Sequence, residues 1–254
     1  MTGEFGGKTV YGASVGILML ETRFPRIHGD IGNAATWPFP VQYRVVPGAT
    51  PDAVVRHDPH LLADKFIEAG RALVDMGCDG ITTNCGFLAL IQDQIRDALK
   101  VPVATSSLMQ IPMAQALLPP GRKVGVITIS KATLTHDHLR AAGAPEDTII
   151  VGTDAGRAFT TGILDDHASL DFEACRLDIL EAAAELVTNN ENIGAIVLEC
   201  TNMVPYAGEV RKLTGLPVFS IYSFVTWFQA GLVPRKFPLE LDDPRLNLTG
   251  WQRG

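Results

Sequence analysis

The sequence predicts an α/β protein of two similar, pseudo-symmetric lobes, each a mainly parallel sheet flanked by helices. Three observations predict it. Short β-branched runs alternate with longer stretches of helical spacing, the pattern of parallel strands joined by crossover helices. The two halves of the chain carry matching segments in the same order. Between the halves stands Pro119-Pro120-Gly121, a turn-forming hinge.

In order, Ser14 to Leu20 and Val41 to Val46 read as strands, Pro59 to Met76 as a helix, and Gly80 to Thr83 as a strand. Phe87 to Leu99 continues as a helix and Val101 to Ala104 as a strand. The second half reads Lys123 to Ile129 (strand), Lys131 to Ala142 (helix), Thr148 to Val151 (strand) and Leu170 to Thr188 (helix). Gly194 to Leu198 (strand), Met203 to Leu213 (helix) and Pro217 to Ser220 (strand) complete it. Gly77, Gly143, Asn189 and Gly215 fall where helix C-caps are expected. A last helix, Ile221 to Gly231, follows the final strand and can return to the first lobe. The lobes are therefore expected over 10–118, joined by 221–254, and over 121–220.

The halves match at four places. Val15-Gly16-Ile17 corresponds to Val124-Gly125-Val126, and Glu68-Ala69 with Leu73-Val74 to Glu181-Ala182 with Leu186-Val187. Ile81 to Cys85 corresponds to Ile196 to Cys200, and Pro102-Val103 follows Cys85 at the offset at which Pro217-Val218 follows Cys200. Two cysteines thus occupy equivalent positions, each at a strand end that opens a helix.

A net charge of −7 argues against a general nucleic-acid binder, which needs Lys and Arg to neutralise phosphates. The first apolar run is too short for a membrane span and meets Glu21 and Arg23 with no cleavage site before them, so the cytoplasm is the expected compartment. Hydrophobic residues at 46% and charged residues at 19% fit a globular protein, and nothing in them opposes a homo-oligomer. The four cysteines form no CxxC and no Cys/His cluster, so no metal site is expected. Cys78 and Cys175 read as core-filling residues. Cys85 and Cys200 do not, because of their symmetry and polar neighbours.

In open α/β sheets ligands bind at the carboxyl ends of strands. A cysteine there lies near free backbone N–H groups, which favour a thiolate and can also hold a substrate carboxylate. Two such thiols facing one molecule suit inversion at carbon, one removing a proton and the other returning it on the opposite face.

The segments TTNCGF (82–87) and LECTNM (198–203) resemble the paired cysteine motifs of the aspartate/glutamate/hydantoin racemase superfamily, which includes arylmalonate decarboxylases and maleate isomerases. VGVITIS (124–130) resembles its second-lobe opening strand, and the resemblance covers roughly residues 13–230. It implies an active site between two similar lobes, no cofactor, and Cys85 and Cys200 as the acid/base pair. Amino-acid racemases of the superfamily carry Cys-Asn-Thr at the first motif and Gly-Cys-Thr before His or Glu at the second. Here the residues are Cys85-Gly86-Phe87 and Glu199-Cys200-Thr201-Asn202, which leaves the amino-acid, hydantoin and decarboxylase branches open.

Around the pair, Asn84, Gly86, Phe87, Thr201 and Asn202 are the candidate substrate-binding residues, with Thr128 and Ser130 added from the second lobe's opening strand. The loop ETRFPRIHGDIGN (21–33) concentrates charge at the crevice rim. Glu21 could assist Cys85, and an arginine such as Arg23 could clamp a carboxylate through a bidentate pair. The leading expectation is a cofactor-independent racemase or epimerase of a small carboxylate-bearing amino acid or hydantoin. Its rivals are a single-cysteine decarboxylase or cis-trans isomerase of the superfamily, and a two-lobed small-molecule binding protein.

Overall fold

The computed structural model describes residues 6–237. Its first half comprises β1 (Val15–Leu20), β2 (Val41–Val46), α1 (Pro51–Val55), α2 (Ala63–Asp75), β3 (Gly80–Thr83), α3 (Gln92–Leu99), β4 (Val103–Ala104) and α4 (Ile111–Leu117). The second half comprises β5 (Lys123–Thr128), α5 (His136–Ala141), β6 (Ile149–Gly152), α6 (Phe159–Leu164), α7 (Phe172–Asn189), β7 (Ile193–Leu198), α8 (Ala207–Thr214) and β8 (Val218–Phe219). Helix α9 (Ile221–Leu232) follows.

Each half folds its strands into one four-stranded sheet, ordered β2-β1-β3-β4 and β6-β5-β7-β8, with every pairing parallel. Such sheets are covered on both faces, so their strands read as unbroken apolar runs. In β1 every residue is buried: Leu18 and Leu20 join the larger core, which includes Phe66 and Leu73 of α2, while Val15, Ile17 and Met19 join a second cluster with Ile221, Phe224 and Val225 of α9. Helix α9 thus lies on the first sheet. A Cβ on Gly80 would sit 2.6 Å from Phe228 and Leu232 side-chain atoms, which shows how closely the helix approaches β3. The rest of the expected return segment, 238–254, lies outside the described residues.

The duplication seen in the sequence is a packing duplication. A Cβ at Gly16 would meet Leu73 at 3.0 Å, and one at Gly125 would meet the matching Leu186 at 2.8 Å. The first strand of each half therefore carries glycine so that its crossover helix can lie close against it.

Several boundaries differ from the sequence reading. The expected helices Phe87 to Leu99 and Met203 to Leu213 each begin with a 3-10 turn, Gly86–Ile91 and Thr201–Tyr206, before the α-helical part. In the second, Pro205 lacks the N–H that an α-turn would use. Residues 131–135 are not helical, because Thr135 caps α5 in a reciprocal box with His138 while the Lys131 amide donates to Asp154 at 2.8 Å. Asn189 is the last residue of α7 rather than its cap, whereas Gly77, Gly143 and Gly215 follow their helices with φ of 107°, 68° and 71°. Helices α1, α4 and α6 were not expected; α1 starts on Thr50-Pro51, a cap followed by proline at its first position.

Candidate active site

β3 and β7 are the strands on which both sheets turn back to their edges, and Cys85 and Cys200 lie just past their carboxyl ends. Each cysteine has extended backbone (φ −147°, ψ 121° and φ −74°, ψ 130°) and precedes its 3-10 turn. The first amides of such a turn have no partner within it. The halves are bonded to each other here: the Thr201 hydroxyl donates to the Asn84 carbonyl at 2.7 Å, and the hydroxyl of Ser107, beyond β4, donates to the Leu198 and Glu199 carbonyls at 2.7 and 3.0 Å. A Cβ on Gly86 would stand 2.3 Å from Glu199 Oε1 and 2.7 Å from its carbonyl oxygen, so only glycine allows this approach.

Both cysteines line one small cavity, together with Asn84, Glu199 and Asn202. Its apolar walls are Phe24, Pro51 and Val55 from the first half and Ile163 and Leu164 of α6 from the second. Arg26 also reaches it, carried over the Phe24 ring at 4.6 Å and paired with buried Asp30 at 2.7 Å. The second Asp30 oxygen accepts from the Asn202 amide, and Asn202 Oδ1 accepts the Cys200 thiol at 3.5 Å.

The residues before the cysteines, Asn84 and Glu199, repeat one structural task. Their amides donate to Leu18 and Ile127 at 3.0 and 2.8 Å. Their side-chain oxygens accept the amides of Leu20 and Ile129, two residues further on, at 2.7 and 3.4 Å. Glu199 Oε2 also accepts the Thr128 hydroxyl at 2.8 Å.

Burial dominates the electrostatics. Glu199 is pushed up to about 7 by loss of water, opposed by the Thr128 hydroxyl and the Ile129 amide. Burial and the Glu199 charge push both thiols well above their ordinary range. Backbone amides work in the opposite direction, those of Phe87 and Leu88 at Cys85 and that of Asn202 at Cys200. Burial also holds His138, which meets Phe87 edge-on at 4.9 Å, down to about 4.

Of the sequence candidates, Cys85, Cys200, Asn84, Gly86, Phe87 and Asn202 line the cavity. Thr201 is buried and bonds Asn84 across the lobes. Thr128 acts through Glu199, and the Ser130 amide faces Thr128 Oγ1 at 3.4 Å; neither residue lines the cavity. Glu21 and Arg23 do not line it. The Glu21 carboxylate is exposed and accepts the Gly48 amide at 2.8 Å, and the Arg23 side chain, 74% exposed, turns to Asp166. The loop's cavity arginine is Arg26, whose neighbours Phe24 and Asp30 give it an apolar shelf and a buried partner. Contributions from α1 and α6 were missed, their signals being the Thr50-Pro51 cap and little else. Cys78 and Cys175 do not line this cavity. Among the described residues no three His, Cys, Asp or Glu side chains gather where they could hold a metal ion, and no helix is long and apolar enough to cross a membrane.

No family model matches the chain. Among curated proteins it is 30% identical over 247 residues to dimethylsulfoniopropionate lyase 7 of Emiliania huxleyi (strain CCMP1516), covering 94% of this chain and 70% of that protein. It is 28% identical over 250 residues to the dimethylsulfoniopropionate lyase of Durusdinium sp. clade D, covering 95% of this chain and 79% of that one. Among solved structures its fold is similar to allantoin racemase from Klebsiella pneumoniae (TM-score 0.60, 22% identity, 87% of this chain and 88% of that chain). It is also similar to unliganded arylmalonate decarboxylase (0.54, 16%, 87% and 92%) and to glutamate racemase from Francisella tularensis with D-glutamate (0.52, 14%, 89% and 85%). With this near full-length match, the chain belongs to the family that includes dimethylsulfoniopropionate lyase 7, and its two like lobes share the fold of these racemases and of the decarboxylase.

Proposed function

We propose that the protein is a lyase that removes the α-proton of a small sulfonium-bearing carboxylate of the dimethylsulfoniopropionate type and expels the β-sulfonium group as a neutral sulfide. The observation that carries the reading is the pairing of two thiols with free backbone amides on one small, buried cavity, in a chain that matches lyases of this name over 94% of its length. A thiolate takes the α-proton, the C–H electron pair becomes the C=C bond, and the Cβ–S bond breaks with its electrons leaving on sulfur. For dimethylsulfoniopropionate the products are acrylate, dimethyl sulfide and one proton.

Each part of the cavity has a task in this reaction. Charge that develops on the substrate carboxylate as the proton leaves is met by the first amides of the 3-10 turns, Gly86 and Phe87 or Thr201 and Asn202. Phe24 and Phe87 offer aromatic surface to the sulfonium cation. The apolar walls favour departure of an uncharged sulfide. The α-proton passes to a thiolate of the chain itself, so no cofactor enters the scheme.

The second reading is racemisation of a small amino acid or hydantoin, favoured by the presence of both thiols at symmetric positions, since elimination needs only one of them as base. Proton NMR in deuterium oxide separates the readings. With dimethylsulfoniopropionate, vinyl signals of acrylate should appear. Loss of the α-proton signal from an amino acid or hydantoin, with no vinyl signal from the sulfonium substrate, would replace the lyase by a racemase.

A further inference from the structure

We propose that Glu199 is the proton relay of this site: it takes the thiol proton that frees a cysteine to act as base, and hands on to solvent the proton that each elimination leaves behind. The inference rests on the elimination reading above.

Its first support is the internal symmetry. Asn84 shows that pinning the chain after the first strand of a half needs only an uncharged side-chain oxygen, here at 2.7 Å from the Leu20 amide. The second half uses a carboxylate for that task, with Oε2 held by Thr128 and the Ile129 amide and Oε1 turned to Gly86, between the two cysteine turns. Glu199 also lines the cavity that both thiols line. Structure alone leaves the charge at this position unexplained.

The second support is stoichiometry. Racemisation returns to carbon the proton it removes, so two thiols suffice to reset the site. Elimination leaves the base thiol protonated with no carbanion to receive the proton. The cycle that balances begins with thiol and carboxylate, which exchange a proton to give thiolate and carboxylic acid. The thiolate takes the α-proton as the sulfide leaves, and the carboxylic acid then loses its proton to solvent. One proton is released per turnover. Burial places Glu199 at about 7, where it can both accept and release a proton near neutral pH, whereas both thiols are pushed well above their ordinary range. The remaining ionisable groups around the cavity do not compete: Arg26 is paired with Asp30 at 2.7 Å, and His138, behind Phe87, stays neutral.

Glu199→Gln keeps the accepting oxygen that Asn84 uses, so it removes the charge while preserving the pin. Infrared difference spectra of the substrate-free protein, wild type minus Glu199→Gln, should show a protonated carboxyl band that disappears between about pH 6 and 8; loss below about pH 5 overturns the proposal. Sulfide release by Glu199→Gln should fall at pH 7 by roughly 10²-fold or more, and the deficit should narrow as pH rises and hydroxide takes over removal of the thiol proton. Glu199→Asp should restore part of the activity at pH 7. An equal fall at every pH, or an Asp variant no better than Gln, assigns Glu199 a purely structural role. Thr128→Val removes a donor that favours the ionised form, so the acidic limb of the rate profile should move up by about one pH unit; an unmoved limb contradicts the relay. If the wild type releases no sulfide, the elimination reading and the outlet role fail together, while the infrared titration still decides whether Glu199 exchanges its proton near pH 7.

Discussion

Cys85 and Cys200 are alike in burial, 8% and 7% exposed, in their place before a 3-10 turn and in their shared neighbour Glu199. In the proposed elimination, replacing the cysteine that acts as base by alanine should lower turnover by ~10² to 10⁴-fold, the range for a lost general base; steady-state kinetics of Cys85→Ala and Cys200→Ala will assign it. Gly86→Ala forces a methyl group onto Glu199 Oε1 and its carbonyl oxygen, at 2.3 and 2.7 Å. It should separate the turns and abolish turnover while far-UV circular dichroism stays near wild type. Glu199 also links stability to pH. Its folded pKa of about 7 stands above the ordinary 4.5, so its contribution is fully present below about 4.5 and is lost as pH rises through 7. Relative to Glu199→Gln, the wild type should lose on the order of 3 kcal/mol of unfolding free energy between pH 4 and 8, measured in urea.

At the scale of elements, α6 carries Ile163 and Leu164 into the cavity, and a single buried carboxylate on α7 fixes where α6 begins. Asp178 accepts the amides of Arg157, Ala158 and Phe159, each at 2.8 Å. Asp178→Ala leaves three buried or half-buried donors without that partner and should destabilise the fold by roughly 1 to 3 kcal/mol in chemical denaturation. Because α6 is a wall and holds no thiol, its KM should rise more than its kcat falls. The strands were legible because burial on both faces writes them as continuous apolar runs, as in VGILML of β1. The 3-10 turns after the cysteines were not, since their apolar residues keep helical spacing and only Pro205 marks the second. Helix α6 was hidden because its support, Asp178, lies inside a distant helix.

For the whole molecule, the halves close over the cavity through polar contacts at its rim. Asp166 accepts the amides of Arg23 and Phe24 at 2.6 and 3.2 Å, and Asp165 pairs with Arg56 at 2.7 Å. Exposed ion pairs contribute ~0 to 1 kcal/mol each and are screened by salt. Joint replacement of Asp165 and Asp166 by alanine should therefore raise KM by roughly 10-fold and leave kcat within about 2-fold, with less salt dependence than the wild type. The duplication made the fold and the cysteine pair readable from equivalent positions in the two halves. The chemistry was less readable, because a thiol beside a carboxylate site serves racemisation, decarboxylation and elimination alike. What tells them apart is the lining, and Phe24, Arg26, Val55 and Leu164 come from a loop and two short helices whose approach no local pattern encodes. In the proposed function, thiol chemistry on this cavity drives elimination. Headspace gas chromatography of dimethyl sulfide, with acrylate quantified in the same vial, tests it most directly on wild type, Cys85→Ala and Cys200→Ala. Equimolar sulfide and acrylate are expected from the wild type, with loss of both in the variant that lacks the base; no sulfide from the wild type, or wild-type amounts from both variants, would contradict thiol-driven elimination.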